Sequence, residues 1–318
     1  MSVLGKRTSL DLVELPQPKY QKVSFMNNFG IYFTFYNDDT DERVISFDLQ
    51  SNLGDILKST ELFHEDSILI NIHEGIQFHG IPFVEDAFIQ GYESIGGTAT
   101  IKSAGIEMDV HLVYESFYDG EWIKLPDNWV MTDKFLKEGF DKVKLGDLGF
   151  DESESVISEF GKTADKDILK TIYRIQHLEN YCRYTVKSKS FAVKRNMFHG
   201  TGKTDPDMVA KSGIVIGDHT KFGLWGKGVY FAENASYSNL YSHINQGSHY
   251  MFLVEVCFEK PCIIKHSAIT HQYTAPPDGY DCVIGASHPG TNHNFTSTIL
   301  TLYEPDRNLI RYEIKYDI

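Results

Sequence analysis

The sequence predicts an α+β protein with two domains, a β-rich first half and a second half in which antiparallel strands outnumber helices. Hydrophobic residues make up 42% of the 318 positions, which is enough apolar material for sizeable cores. Short runs that alternate apolar and polar residues, separated by turns rich in Gly, Asn and Asp, recur throughout the chain. Long helical periodicity is rare, so strands dominate the prediction.

Residues 1–24 show no sustained periodicity and are predicted to form a flexible tail. Residues 25–147 follow as an acidic, β-rich α+β domain. Its predicted elements are a hairpin around Asn37-Asp38-Asp39, a short helix in SNLGDILKSTELF, and strands in SILINIHEGIQFHGIPFV and TATIKSAGIEMDVHLVYESFY. This order is compatible with a β-grasp-like fold.

Residues 148–318 are predicted to form the second domain. It begins with a short helix capped near Asp165 that passes into a strand-like stretch ending near 190. A strand, a His-Gly turn and a helix that opens at Asp205-Pro206-Asp207 come next, because Pro suits the first helical turn. Further strands are predicted in GKGVYFA, SHYMFLVEVCF, PCIIKH, YDCVIGA, STILTLYEP and NLIRYEIKY.

Negative charge is concentrated in the first half, since residues 1–150 carry a net charge of −13 and residues 151–318 a net charge of −1. Docking on nucleic acid requires clustered Lys and Arg, so this balance argues against it, although contacts to short nucleic-acid ends stay open. We expect the acidic domain to recruit a partner or a substrate, with solubility as the alternative role of its charge.

The composition also bears on location and redox state. No apolar run approaches the ~20 residues of a membrane span and the N-terminus lacks a signal-peptide core, so we expect no membrane association and a cytoplasmic or nuclear location. The four cysteines form no CxxC pair, and reduced, buried thiols are predicted rather than disulfides or a metal site.

Two segments indicate a ligand-binding site, namely His199-Gly200-Thr201 and the stretch FGLWGKGVYFAENASYSNLY at 222–241. A glycine lets a flat ligand approach the backbone, whose N–H and C=O can both pair with a carboxamide, and tyrosines offer faces for a ring. A ring that carries a carboxamide is nicotinamide. The glycines of GLWGKGVYF precede a strand and do not open a helix, so a Rossmann fingerprint is excluded by its context.

Three segments in this order, ILKTIYRIQHLENYCRY, MFHGTG and GKGVYFAENASYSNLY, resemble successive signatures of the poly(ADP-ribose)-polymerase-type ADP-ribosyltransferase catalytic domain. The resemblance covers roughly 150–318. It implies a split β-structure that binds NAD as co-substrate without a Rossmann unit.

The resemblance also implies roles for individual residues. His199 would hydrogen-bond the adenosine ribose, while the Gly200 backbone and the Ser238 hydroxyl would hold the nicotinamide carboxamide. Tyr230 would line the nicotinamide-ribose pocket and Tyr241 would stack on the nicotinamide ring. Two further positions are assigned to the NAD site, namely Thr201 and Tyr237, the latter standing where the family's polymerases carry a lysine.

The third position of the family's catalytic triad aligns with Ile299, where polymerases carry a glutamate that activates the acceptor hydroxyl for chain growth. An isoleucine side chain cannot act as a general base. Glu304, five residues further on, is predicted to face the other way. The resulting His-Tyr-Ile pattern implies mono-ADP-ribosylation of protein side chains with release of nicotinamide, and inhibition by nicotinamide-like compounds.

Two alternatives stay open at this point. One is a catalytically inactive module that binds NAD or ADP-ribose, and the other is transfer to nucleic-acid ends. The sequence indicates no metal and leaves the oligomeric state undetermined.

Overall fold

The computed structural model describes residues 31–37, 39–40, 43–48, 69–73, 76–78, 98–103, 106–130, 132–146, 152–216, 220, 222–264, 273–287 and 297–318. The chain divides into two compact units. Unit 1 comprises Met1–Phe117 with Lys124–Asp127, and unit 2 comprises Tyr118–Ile123 with Asn128–Ile318.

The first sheet has seven strands, β1 (Ile31–Asn37), β2 (Arg43–Asp48), β3 (Leu69–His73), β4 (Ile76–Phe78), β5 (Thr98–Ser103), β6 (Ile106–Tyr118) and β7 (Glu121–Lys124). Six of them lie in the order β2-β1-β6-β5-β3-β4 with antiparallel neighbours, and β7 pairs with β6. The predicted hairpin is confirmed as β1 and β2. The predicted tail and the predicted helix near 51–63 lie outside the described residues, and a β-grasp-like arrangement is not confirmed.

Unit 2 is built on a ten-stranded sheet. Its strands are β8 (Phe140–Lys144), β9 (Leu169–His177), β10 (Val193–His199), β11 (Val229–Ala232), β12 (His243–Asn245), β13 (Ser248–Phe258), β14 (Pro261–Ile264), β15 (Cys282–Ala286), β16 (Thr298–Leu302) and β17 (Asn308–Asp317). Their order is β14-β15-β16-β11-β10-β13-β17-β9-β8, with β12 beside β13. The β14–β15 pair is parallel, whereas the other pairs along the path are antiparallel.

The helices of unit 2 are short. They are α1 (Asp133–Glu138), α2 (Ser153–Gly161), α3 (Leu178–Ser188), α4 (Pro206–Ser212) and α5 (Ala235–Ser238), with 3-10 turns at Lys166–Ile168 and Asn239–Tyr241. Helix α4 begins as predicted, because the Asp205 side chain accepts from the Asp207 N–H and Pro206 occupies the first turn. The chain is therefore strand-rich α+β, in agreement with the predicted class.

The large sheet is split between β10 and β11. These two strands share one register pair, Phe198 with Ala232, whereas β10 pairs with β13 along its whole length from Val193 to His199. Diverging strands leave space between their ends, so a cavity opens where β10 and β11 separate.

Two apolar layers hold the central strands. Alternate residues of β10 and β13 face opposite sides, so Met197 and Phe252 belong to one buried cluster and Phe198 and Leu253 to another. Helix α4 covers the first face, where Ala210 is fully buried. Helix α2 covers the second face through Val156 and Phe160, and burial of such side chains is the main stabilising term.

Two expectations from sequence differ from the structure. Residues 128–147, predicted as part of the first domain, belong to unit 2, because β8 pairs with β9 and buries Phe140 in the core of that unit. Residues 178–188, predicted as strand-like, form helix α3. Aromatic and β-branched residues there favour a strand, but His177 accepts from the Asn180 N–H as the N-cap, and the helix buries Leu178 and Cys182, four residues apart.

The predictions on thiols can be compared with the described residues. All four cysteines are free; Cys257, Cys262 and Cys282 lie in strands and Cys182 in α3, and three of the four are buried. Within the described ranges, no group of three His, Cys, Asp or Glu side chains is arranged to hold a metal ion. None of the described helices has the length and apolar character that a membrane crossing requires.

A buried ion pair fastens α4 to the sheet. Lys142 Nζ lies 2.6 Å from Glu313 Oε1 and 2.8 Å from Asp207 Oδ1, and the Glu313 side chain has no solvent exposure. Burial opposes the charge of Lys142, but the Glu313 carboxylate outweighs burial and raises the pKa of the ammonium. Burial raises the pKa of the Glu313 carboxyl, and Lys142 opposes that rise, so the carboxylate depends on this ammonium for its charge.

Lys142→Met is expected to lower the free energy of unfolding of unit 2 by about 2–3 kcal/mol, because it leaves the Glu313 carboxylate buried without its cation. Chemical denaturation of the full chain measures this change. The double variant Lys142→Met/Glu313→Leu is expected to recover part of the loss, since no uncompensated charge remains. Equal stability of the wild type and Lys142→Met would show that the pair contributes nothing.

Candidate active site

A cavity of about 690 Å³ lies at the split of the large sheet, a size typical of small-molecule sites. It is enclosed by the ends of β10 and β11, by α4 and the segment after it, and by α5 with the following 3-10 turn. The seven residues that the sequence assigned to an NAD site and the third predicted catalytic residue, Ile299, all line this cavity: His199, Gly200, Thr201, Tyr230, Tyr237, Ser238, Tyr241 and Ile299.

His199 is the last residue of β10 and is half-buried at the cavity wall. Its Nδ1–H donates to the carbonyl oxygen of Tyr230 on β11 at 2.9 Å, so Nε2 is the ring nitrogen left for a ligand. Burial lowers the pKa of His199, outweighing the hydrogen bond to Tyr230. The ring is therefore a neutral imidazole at pH 7 that offers a hydrogen-bond acceptor to the cavity.

Gly200 must be glycine because the backbone of the 238–241 segment fills the space of a side chain. A Cβ at this position would lie 2.3 Å from Tyr241 O and 2.8 Å from Ser238 O. The bare backbone of Gly200 is thereby brought against the segment that carries Ser238 and Tyr241. The His-Gly motif thus has a packing reason as well as a predicted binding role.

Tyr230 supports the turn that precedes its own strand. Its hydroxyl donates to Gly226 O at 2.9 Å and accepts from the Trp225 N–H at 2.8 Å. Gly223 packs on the Tyr230 ring so closely that a Cβ there would lie 2.5 Å from Cζ. Tyr230 therefore lines the cavity and holds the 223–226 turn in place, so truncating it would disturb both.

Ser238 and Tyr241 face the cavity from α5 and the 3-10 turn. Ser238 is 3% exposed, and none of the described residues forms a hydrogen bond with its hydroxyl in the structure. The Tyr241 ring is 51% exposed although it lines the cavity, so one face is available to a flat ligand. Tyr237 packs beside it, with ring centroids 5.8 Å apart, in the position predicted for the polymerases' lysine.

Ile299 lies on β16, opposite Ala232 of β11, and is 6% exposed. None of the described residues that line the cavity is Asp, Glu, Lys or Arg. Glu304 is not among these lining residues; its carboxylate lies 3.1 Å from Lys187 Nζ. Thr201 donates its hydroxyl to Thr204 O at 2.7 Å, so its side chain is already engaged.

Part of the cavity wall has no signal in the sequence. On the side between α4 and β11, this part comprises Val209, Ser212, Gly213, Ile214, Val215 and Thr220. Apolar residues at these positions suggest ordinary core packing, and only the approach of α4 to the split sheet turns them toward a cavity. A local sequence pattern cannot predict that α4 lies against the split sheet, because its position depends on pairing between strands that are distant in the sequence.

The split sheet, the His-Gly end of β10 and the tyrosine-lined cavity define a transferase domain of the poly(ADP-ribose) polymerase type. The chain belongs to this family, since the family model described as "Poly(ADP-ribose) polymerase catalytic domain" matches residues 151–311, half of the chain. The matched range lies within unit 2 and includes His199, Tyr230 and Ile299.

Several curated proteins are similar to part of this chain. Protein mono-ADP-ribosyltransferase PARP12 of Mus musculus is 32% identical over 39% of the chain, and Protein mono-ADP-ribosyltransferase PARP11 of the same organism is 29% identical over 38%. A probable poly(ADP-ribose) polymerase of Dictyostelium discoideum is 42% identical over 23%. The chain spans 20%, 38% and 23% of the lengths of these three relatives.

Proposed function

We propose that this protein is a mono-ADP-ribosyltransferase that transfers ADP-ribose from NAD to protein side chains and releases nicotinamide. One observation carries the proposal: the groups that suit a ring carboxamide, Gly200, Ser238 and Tyr241, line the same cavity as the neutral acceptor of His199. Family membership and the names of the mono-ADP-ribosyltransferase relatives support it.

In the proposed reaction, the bond between the ribose C1′ and the nicotinamide nitrogen breaks, and its electron pair stays on the nicotinamide ring. An acceptor side chain of a substrate protein attacks C1′ and loses its proton to water or to a base. The protein contributes by positioning NAD for this reaction. Tyr241 and the Gly200 backbone hold the leaving nicotinamide ring, and His199 Nε2 accepts a hydrogen bond from a hydroxyl of the adenosine ribose. No described charged group lines the cavity to do acid or base work.

The proposal is tested by incubating the full chain with NAD labelled at the adenylate phosphate. Label should stay on denatured protein, and nicotinamide should be released in equal amount. Labelled free ADP-ribose is the control for non-enzymatic attachment. Mass spectrometry of the labelled protein then identifies the modified side chains.

Two other outcomes of this experiment would favour the alternatives. Binding of NAD without nicotinamide release and without labelling of protein would favour an inactive module that binds NAD or ADP-ribose, which the apolar Ile299 also suits. Label that appears only on added oligonucleotide ends would favour nucleic-acid transfer. We further propose that the acidic segment 25–147 recruits the substrate protein. Residues 118–123 and 128–147 belong to unit 2, so the test deletes residues 25–117 only; labelling of the substrate protein should be lost while NAD turnover is kept.

Tyr241→Ala is expected to weaken the binding of nicotinamide-like inhibitors by ~1 kcal/mol or more, because the exposed ring face is lost as a stacking partner. Tyr241→Phe keeps that face and serves as the matched control. Inhibition constants for both variants measure the effect. An unchanged constant in Tyr241→Ala would remove this residue from the proposed site.

Transferase activity is expected to stay level as pH falls from 7.5 to 6.5 and to decline only below that range. The pKa of His199 is lowered from its ordinary value of 6.5, so the imidazole stays neutral until more acidic pH and keeps Nε2 as an acceptor. The measurement is kcat/KM for NAD against pH. Nicotinamide binding, which does not need His199, is the control, and a midpoint at or above 6.5 would contradict the proposed role.

A further inference from the structure

The loop after Gly200 and the segment after Tyr241 are held together by a pair of hydrogen bonds. Gly202 N–H donates to Tyr241 O at 2.7 Å, and the Nδ1–H of His243 donates to Gly202 O at 3.0 Å. Gly202 adopts a left-handed conformation with φ of 59°. One residue thus offers both its backbone groups to the same neighbouring segment.

The histidine side chain takes the place of a backbone donor in this contact. A backbone N–H would normally complete such a two-bond bridge, but here the imidazole of His243 on β12 supplies the second donor. The ring is half-buried, packs at 6.2 Å from the Tyr250 ring, and does not line the cavity. It therefore has no direct path to a ligand in the site.

The bridge lies two residues from Gly200 on one segment, and its His243 lies two residues from Tyr241 on the other. Gly200 touches the carbonyl of Tyr241, with the position of a Cβ only 2.3 Å from that oxygen. Gly200 and Tyr241 line the same cavity, so their relative placement shapes the slot that the proposed function assigns to a flat ligand. Among the described residues, the backbone hydrogen bond that joins the 201–204 loop to the 238–243 segment is the one from Gly202 N–H to Tyr241 O, and His243 adds the second bond of the bridge.

A second set of contacts holds the other side of Tyr241. Ser242 donates to Asn239 O at 2.9 Å and lies 2.9 Å from His249 Nδ1, and the Tyr316 hydroxyl donates to Asn239 Oδ1 at 2.8 Å. The 3-10 turn that carries Tyr241 is thereby anchored to β13 and β17. Through its hydrogen bond to Gly202, His243 connects the 200–204 loop to this anchored turn.

We propose that His243 is a positioning residue that sets the width of the nicotinamide slot through Gly202, without touching the ligand. This inference rests on the proposed function, since it concerns the same slot. Removal of His243 should widen the slot and weaken binding of the flat carboxamide. It should have little effect on the turnover of NAD once bound, because His199 and its contact with Tyr230 stay in place.

The test compares His243→Ala, His243→Asn and wild type by direct titration with nicotinamide and by steady-state kinetics with NAD. His243→Ala should raise the nicotinamide Kd and the KM for NAD by about 3–10-fold, the loss expected for one hydrogen bond, with kcat nearly unchanged. His243→Asn should restore most of the affinity, because its side-chain amide can donate to Gly202 O. The Nδ1–H tautomer of His243 should appear in ¹⁵N NMR spectra of the wild type.

Ile244→Ala is the matched control, because Ile244 follows on the same strand with 61% exposure and should change neither constant. If the wild type binds nicotinamide but His243→Ala binds it equally well, the positioning role is wrong while the proposed function stands. If the wild type binds no nicotinamide, both are wrong. A rise in Kd that Asn fails to restore would assign the effect to lost ring packing and overturn the hydrogen-bond role.

Discussion

His199→Ala is expected to lower kcat/KM for NAD by about 100-fold or more, because the cavity loses the acceptor that orients the co-substrate and misplaced substrates react slowly. The variant should keep its fold. Among the described residues, the ring hydrogen-bonds Tyr230 O and lies 5.5 Å from the Phe231 ring, so the free energy of unfolding should fall by about 2 kcal/mol. Automodification with labelled NAD and thermal unfolding, measured on the same preparation, separate the two effects.

Ser248→Ala is the matched control for this variant. It also removes one side-chain hydrogen bond, to Asp317, from a residue that does not line the cavity, and it should retain activity. A large loss of stability in His199→Ala with retained transfer would identify His199 as a packing residue. Tyr230→Ala is a poorer test, because it also removes the two hydrogen bonds that hold the 223–226 turn.

The product is expected to consist of single ADP-ribose units. Chain growth requires that a hydroxyl of the bound ADP-ribose be activated, and Ile299 has no group that accepts its proton. General-base assistance contributes typically ~10²–10⁴-fold, which is enough to decide between one transfer and a polymer. On a gel, the modified protein should run as a discrete band that a chain-degrading glycohydrolase leaves unchanged.

A smear that the glycohydrolase collapses would contradict this expectation. It would mean that a carboxylate outside the described cavity wall performs the task of the missing glutamate. Ile299→Val, which preserves the apolar wall at a cost of about 1 kcal/mol, should give the same single-unit product and serves as the control.

The local elements follow from the sequence because short-range chemistry determines them. Asp205 and Pro206 fix the start of α4 through a side-chain cap and a preset backbone angle, both within three residues. Runs rich in aromatic and β-branched residues favour strands at β13 and β17 without reference to their partners. The order of motifs also identified the eight residues of the candidate site, although their binding roles stay predictions.

Other features depend on contacts between distant residues. Helix α3 forms where aromatic and β-branched residues suggest a strand, since burial of Leu178 and Cys182 against the sheet outweighs local preference. Residues 140–144 join unit 2 because β9, about thirty residues later, provides their partner. No local sequence pattern specifies which strands pair with each other.

The sequence by itself determined the family signatures, the strand-rich class and the apolar residue at the position predicted to be the third of the catalytic triad. The tertiary structure decided that β10 and β11 diverge after one pairing, that the Gly200 backbone meets Tyr241, and that His243 completes the bridge to Gly202. The physical reason is the distance along the chain over which each kind of interaction acts. Caps and alternation act within a few residues, whereas a cavity is the space left between elements whose pairing spans the chain.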